Sequence, residues 1–183
     1  MGPLYVRFEV IIDDNRQLFD VELAPIDIMP HAVNVFLNMV ASEVWNDSIF
    51  LHRAHHIIQA IPIDSKGNGD EKKKIFESSD MQMSFPEYDS SYPHNKYTLG
   101  FSGRPGGPEF YISTQDNAEY HGPRGQSQYE MAHDADPCFG KVIRGHDVVD
   151  RMNQLNEIAA KKIEEGDDKV MFTSLQRVYM ISD

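Results

Sequence analysis

Lys96–Ser113 reads KYTLGFSGRPGGPEFYIS and Asp136–Met152 reads DPCFGKVIRGHDVVDRM. In the first stretch Tyr97, Leu99 and Phe101 alternate with smaller residues up to Gly103-Arg104-Pro105-Gly106-Gly107, and Phe110, Tyr111 and Ile112 resume beyond it. This is a strand, a glycine-rich turn and a second strand. In the second stretch Cys138, Phe139 and Val142 lead through a turn into a helix that carries Val148, Val149, Met152 and Leu155. Asn117 to Asp136, between the two, is long and polar and reads as a rim loop.

Working towards the N-terminus, Val6, Phe8, Val10 and Ile12 alternate with Tyr5, Arg7, Glu9 and Ile11, the period-two pattern of a half-buried strand. Asp13-Asp14-Asn15 supplies turn chemistry, and Phe19, Val21 and Leu23 continue as the second arm of a hairpin. Pro30 suits the first turn of a helix, where its missing N–H goes unmissed. Val33, Phe36, Leu37, Val40 and Val44 then build one apolar helical face of about four turns. Ser48–Arg53 and His56–Ile61 read as short strands, and Leu175, Val178, Met180 and Ile181 as a closing strand. The charged span Ser65–Lys74 reads as an exposed loop, and Ser78–His94 as irregular chain packed by Phe85 and Tyr88. Many strands and two well-separated helices predict one domain over residues 1–183: a mainly β, closed antiparallel barrel capped by two α-helices.

The same order of elements resembles the cyclophilin family of peptidyl-prolyl cis-trans isomerases. MPHAVNVFLNMVAS (29–42) is similar to the family's opening helix, and SIFLHR (48–53) to the strand bearing its Phe-His-Arg. LGFSGRPGGPEFYIS (99–113) is similar to the strand–turn–strand of the active face, and CFGKVIRGHDVVDRM (138–152) to its Phe-Gly-basic-Val run. The resemblance implies a domain that binds proline-containing or extended segments and, if active, turns the prolyl amide without metal or cofactor. Rotation about that bond faces a barrier of about 18–20 kcal/mol, so a catalyst must bind the twisted amide better than the planar forms. The family assigns that role to an arginine, with a hydrophobic pocket for the proline ring and a glutamine for the flanking peptide.

Carried onto this chain, the arginine falls on Arg53 if His-Arg is matched, or its position on His52 if Phe50 is matched without a gap. A one-residue slip reverses the face, so Arg53 reaches the site only through a bulge at Leu51. The pocket walls fall to Ile57 and Ile58, with Gln59 and Phe101 beside them. Glu109 takes the glutamine position, an acceptor in place of a donor–acceptor. Tyr111 replaces the pocket phenylalanine, Tyr120 is nearest to the rim tryptophan, and Asp136 stands where many members have a histidine. The turn between the two strands is two residues shorter than usual. These departures on one face leave three expectations: a binding module with weak or absent isomerase activity, an active isomerase using Arg53, or an interaction domain using another face.

Bulk properties narrow the partners. With 29 Asp and Glu against 17 Lys and Arg, the net charge is −12, which disfavours nucleic acid and anionic membranes. No 18-residue apolar run spans a membrane, and no signal-like apolar core opens the chain. Cys138 is the single cysteine and is compatible with a reducing compartment. The pattern fits a cytoplasmic protein and equally a domain cut from a longer one. His52 and His56 could share a strand face, but two imidazoles fall short of a zinc site and no metal is expected. GRPGGP lacks the Gly-Lys-Ser/Thr of a phosphate loop.

Overall fold

A computed structural model describes residues 2–78, 81–102, 107–125, 134–167 and 169–182. The described residues form eight strands: β1 (Tyr5–Ile12), β2 (Asn15–Leu23), β3 (Ser48–His52), β4 (Ile57–Ile61), β5 (Thr98–Phe101), β6 (Phe110–Ser113), β7 (Cys138–Arg144) and β8 (Met171–Ile181). They close into an antiparallel barrel in the order β1-β2-β7-β5-β6-β4-β3-β8. The expected alternation sets the inside: Val6, Phe8, Val10 and Ile12 of β1 are all buried. Opposite them across the hairpin, Phe8 pairs with Phe19 and their rings stack 4.6 Å apart. Phe36, Phe50 and Phe110 join this aromatic centre, and Trp45 meets Phe110 edge-on at 4.7 Å.

Two longer helices cap the barrel, α1 (Pro30–Ala41) and α4 (His146–Glu164). The α1 helix is shorter than expected: it stops at Ala41, and Val44 is buried in the turns that follow. No side chain caps it locally. Instead Glu87, from 55 residues downstream, accepts from the backbone N–H groups of His31 (3.2 Å) and Ala32 (2.7 Å), a carboxylate at the positive end of the helix. Entry to α4 runs through Gly145 at φ 75°, where a Cβ would come within 2.5 Å of the Leu18 carbonyl. Only glycine fits there without strain.

Two expectations need correction. The charged span before Ser78 is not all loop: Asp70–Ser78 forms a helix, α2, with Phe76 as its buried residue. Asp70 and Glu71 in its first turn favour the helix dipole. A short turn of helix, α3 (Ala118–His121), also interrupts the rim loop, so the described chain carries four helices, two of them minor. In the irregular stretch that follows α2, Met81 and Met83 are the buried anchors, whereas Phe85 is 46% exposed and touches His31.

Candidate functional site

Strand pairing decides which side chains share the outer face. Leu51 pairs with Gln59, Gln59 with Tyr111, and Tyr111 with Gly100, in one row across β3, β4, β6 and β5. The adjacent row, Phe50, Ala60, Phe110 and Phe101, is wholly buried in the core. Successive residues of a strand point to opposite faces, so Leu51, Gln59 and Tyr111 look outward. The β3–β4 register runs regularly from Ile49–Ile61 to Leu51–Gln59, with no bulge at Leu51. The outer face is therefore that of Leu51, not of Phe50 and His52 as expected, and a bulge is not what would bring Arg53 to it.

That register places the two arginine candidates. His52 is 1% exposed and turned inward, its Nε2 2.8 Å from Thr173 Oγ1. Burial pushes its imidazole down to about 4, so it is neutral at pH 7. Arg53 lies past the end of β3, exposed, with no hydrogen bond or ion pair to a described residue. The residue in line with Gln59 and Tyr111 is Leu51, which neither matching of the motif foresaw. Counting back from Gln59 through an unbroken hairpin is the signal that finds it.

The other expected residues divide. Ile57 pairs with Ser113 on the outer side and is half-buried; Ile58 pairs with Ile112 and belongs to the core. Phe101 is also interior, its ring 4.4 Å from that of Phe139. Neither Ile58 nor Phe101 faces a ligand on the outer surface. Gln59 and Glu109 come together: Gln59 Nε2 donates to Glu109 Oε2. Burial raises the Glu109 carboxyl, and the Gln59 bond opposes that rise. Tyr120 is 49% exposed at the rim, its ring 5.7 Å from that of His56. The turn residues 103–106, expected to be shortened, lie outside the described residues.

Tyr111 is 1% exposed although it points outward. Its ring occupies the space above Gly100, where a Cβ would come within 2.6 Å of its Cζ and hydroxyl. The hydroxyl donates to Asp136 Oδ2 at 2.9 Å, and His121 Nδ1 approaches the same oxygen at 2.8 Å. His94 Nε2 lies 2.8 Å from the Asp136 backbone carbonyl. A carbonyl only accepts, so Nε2 carries the proton and Nδ1 faces the Tyr111 hydroxyl, 3.4 Å away. Burial pushes His94 down to about 4. His56 stacks on His121 at 5.5 Å, and burial lowers it as well. The Tyr111 site is therefore filled from within by Asp136, His94 and His121. The sequence reading missed both histidines, which reach Asp136 across 42 and 15 residues.

Asn156 of α4 fixes the β3–β4 connection by donating to the carbonyls of Ala54 and Ile57 (3.0 Å for the latter). This holds Arg53, His55 and His56 in a turn rather than on one strand face, so His52 and His56 do not share a face as the spacing had allowed. His55 is exposed, 3.3 Å from Glu164. Among the described residues no three His, Cys, Asp or Glu side chains are arranged to hold a metal ion. Cys138 is buried, its thiol pushed up to about 12, which makes it a poor nucleophile. Among the described residues, no helix is long and apolar enough to cross a membrane.

A closed eight-stranded antiparallel barrel packed against two longer helices, with an outer face built on β3, β4 and β6, is the architecture of a cyclophilin-type domain. The chain belongs to the cyclophilin type peptidyl-prolyl cis-trans isomerase/CLD family, whose sequence profile it matches over residues 7–173. It is similar in fold to the crystal structure of a Cryptosporidium parvum cyclophilin type peptidyl-prolyl cis-trans isomerase. The TM-score is 0.66 at 16% identity, covering 100% of this chain and 99% of that one. A second structure of that protein, in the presence of the dipeptide Ala-Pro, aligns with TM-score 0.63 at 15% identity over 98% and 99% of the two chains. No curated protein sequence matches the chain.

Proposed function

We propose that this domain binds proline-containing or extended peptide segments across the outer face formed by Leu51, Ile57, Gln59 and Glu109, rimmed by Tyr120, with weak or absent prolyl isomerase activity. The observation that carries this reading is the pairing of Leu51 with Gln59, which puts a leucine in the row with Tyr111 and leaves Arg53 beyond the end of β3. An amide losing its resonance needs a donor aimed at the prolyl group. Leucine has none, and Glu109 offers acceptors. The burial of Tyr111 supports the same reading, because its hydroxyl is engaged with Asp136 rather than offered to a ligand. Family membership and the Ala-Pro structure of the Cryptosporidium relative support a proline-containing ligand.

The test is a proline-peptide isomerisation assay beside an NMR titration with the same peptide. Shift changes at Leu51, Gln59 and Glu109 with a rate close to the uncatalysed one are expected. A rate ordinary for the family that Arg53→Ala abolishes would overturn the reading in favour of an active isomerase. The buried Tyr111–Asp136–His121 arrangement also favours a second reading, an interaction domain working through another face. Its signature is the absence of any shift at Leu51, Gln59 and Glu109 on adding proline peptides.

A further inference from the structure

Glu109 places a carboxylate beside Gln59 immediately before β6, and no cation among the described residues answers it. Gln59 donates to its Oε2, while its second oxygen has no hydrogen bond or ion pair to any described residue. Acids on the described strands are paired: Glu9 with Arg16, Glu22 with Lys141 and Asp20 with Arg7. Glu109 is half-buried, so water offsets only part of the cost of its charge. The chain as a whole is at −12, which draws cations towards it over distances longer than a single contact.

We propose that Glu109 is a specificity residue and that the bound segment carries a lysine or arginine side chain close to its proline or extended stretch. The inference rests on the peptide-binding reading above and adds the charge of the ligand. An ammonium or guanidinium reaching the open oxygen makes a charge-assisted hydrogen bond that a neutral amide does not match. A carboxylate at the same place meets like charge and is rejected. Selectivity of about tenfold or more for a basic over an acidic side chain is the scale such a contact supplies.

The experiment uses matched proline-containing hexapeptides with Lys, Gln or Glu placed in turn at each position flanking the proline. They are titrated by NMR into the labelled protein and into its Glu109→Gln variant, at low and at physiological salt. The best Lys peptide is expected to bind at least about tenfold tighter than its Glu counterpart, with the Gln59 side-chain amide among the shifted signals. In Glu109→Gln that ratio is expected to fall towards one, and salt is expected to reduce it in the unsubstituted protein. A ratio near one in the unsubstituted protein, with the peptides still bound, overturns the charge selection and leaves peptide binding standing. A ratio that survives in Glu109→Gln assigns the preference to the general field of the chain and also overturns it. If no peptide binds the unsubstituted protein, the peptide-binding reading falls and this inference with it.

Discussion

Tyr111 lies directly over Gly100, close enough that a Cβ at position 100 would come within 2.6 Å of the tyrosine hydroxyl. The ring cannot retreat freely, because that hydroxyl is tied to Asp136 at 2.9 Å. Gly100→Ala is therefore expected to cost about 1–3 kcal/mol of stability, the usual penalty of overpacking. Tyr111→Phe keeps the ring and removes the bond, at a cost of about 1–2 kcal/mol. Urea unfolding of the two variants checks both; a neutral Gly100→Ala would mean that the ring does not rest there.

Leu51→Arg puts a guanidinium in the row with Gln59 and Tyr111. A gain of about tenfold in kcat/KM for a proline peptide, about 1.4 kcal/mol of transition-state stabilisation, is expected for it in combination with Glu109→Gln. Arg53→Ala is expected to leave the unsubstituted protein's rate unchanged, since Arg53 is beyond the strand and exposed. A fall in that rate on Arg53→Ala would contradict the assignment.

Stability is expected to decline on mild acidification. His52 and His94 sit near 4 in the folded chain, held down by burial, against 6.5 as the ordinary value. Between those values the unfolded chain binds protons that the native one refuses, so unfolding free energy rises with pH across that window and falls as pH drops through it. Each imidazole accounts for at most about 3 kcal/mol by pH 4. Denaturant melts from pH 7 to pH 4 measure the slope, and His52→Gln or His94→Gln is expected to flatten it; an unchanged slope in both would refute the assignment.

Glu87 closes the N-terminus of α1 from 55 residues away in sequence. Glu87→Ala leaves two N–H groups without their acceptor and is expected to destabilise by about 1–3 kcal/mol. Glu87→Gln keeps an acceptor, loses the charge–dipole attraction and is expected to cost less. Equal melting temperatures for all three proteins would show that the cap contributes nothing.

The barrel was legible because its signal is local. Val6 to Ile12 and the run from Cys138 to Met152 show their periodicity within a dozen or so residues, and the described strands follow it. The α2 helix escaped because Phe76 is its buried residue, so a nearly all-charged segment carried almost no apolar period. Phe101 was placed at the site by resemblance, whereas its own alternation with Gly100 turns it inward beside Phe110. The face around Tyr111 was least legible of all. His94 comes from the segment before β5, and His121 and Asp136 from opposite ends of the β6–β7 connection, and no spacing in the chain marks their meeting. Leu51 depended on a single residue of register, which motif matching shifts and hairpin pairing fixes.

Among the described residues, the ring of eight strands leaves no strand with an open flank, since β8 pairs with both β1 and β3. A partner therefore cannot dock as a ninth strand, zipped on by main-chain hydrogen bonds that ignore sequence. Contact has to be made side chain by side chain and with exposed loops. Such a surface is open to evolutionary rewriting one position at a time, at 51, 59 or 109, while the barrel beneath keeps its packing. The same closure denies the domain the sticky border through which β-proteins string together into fibres.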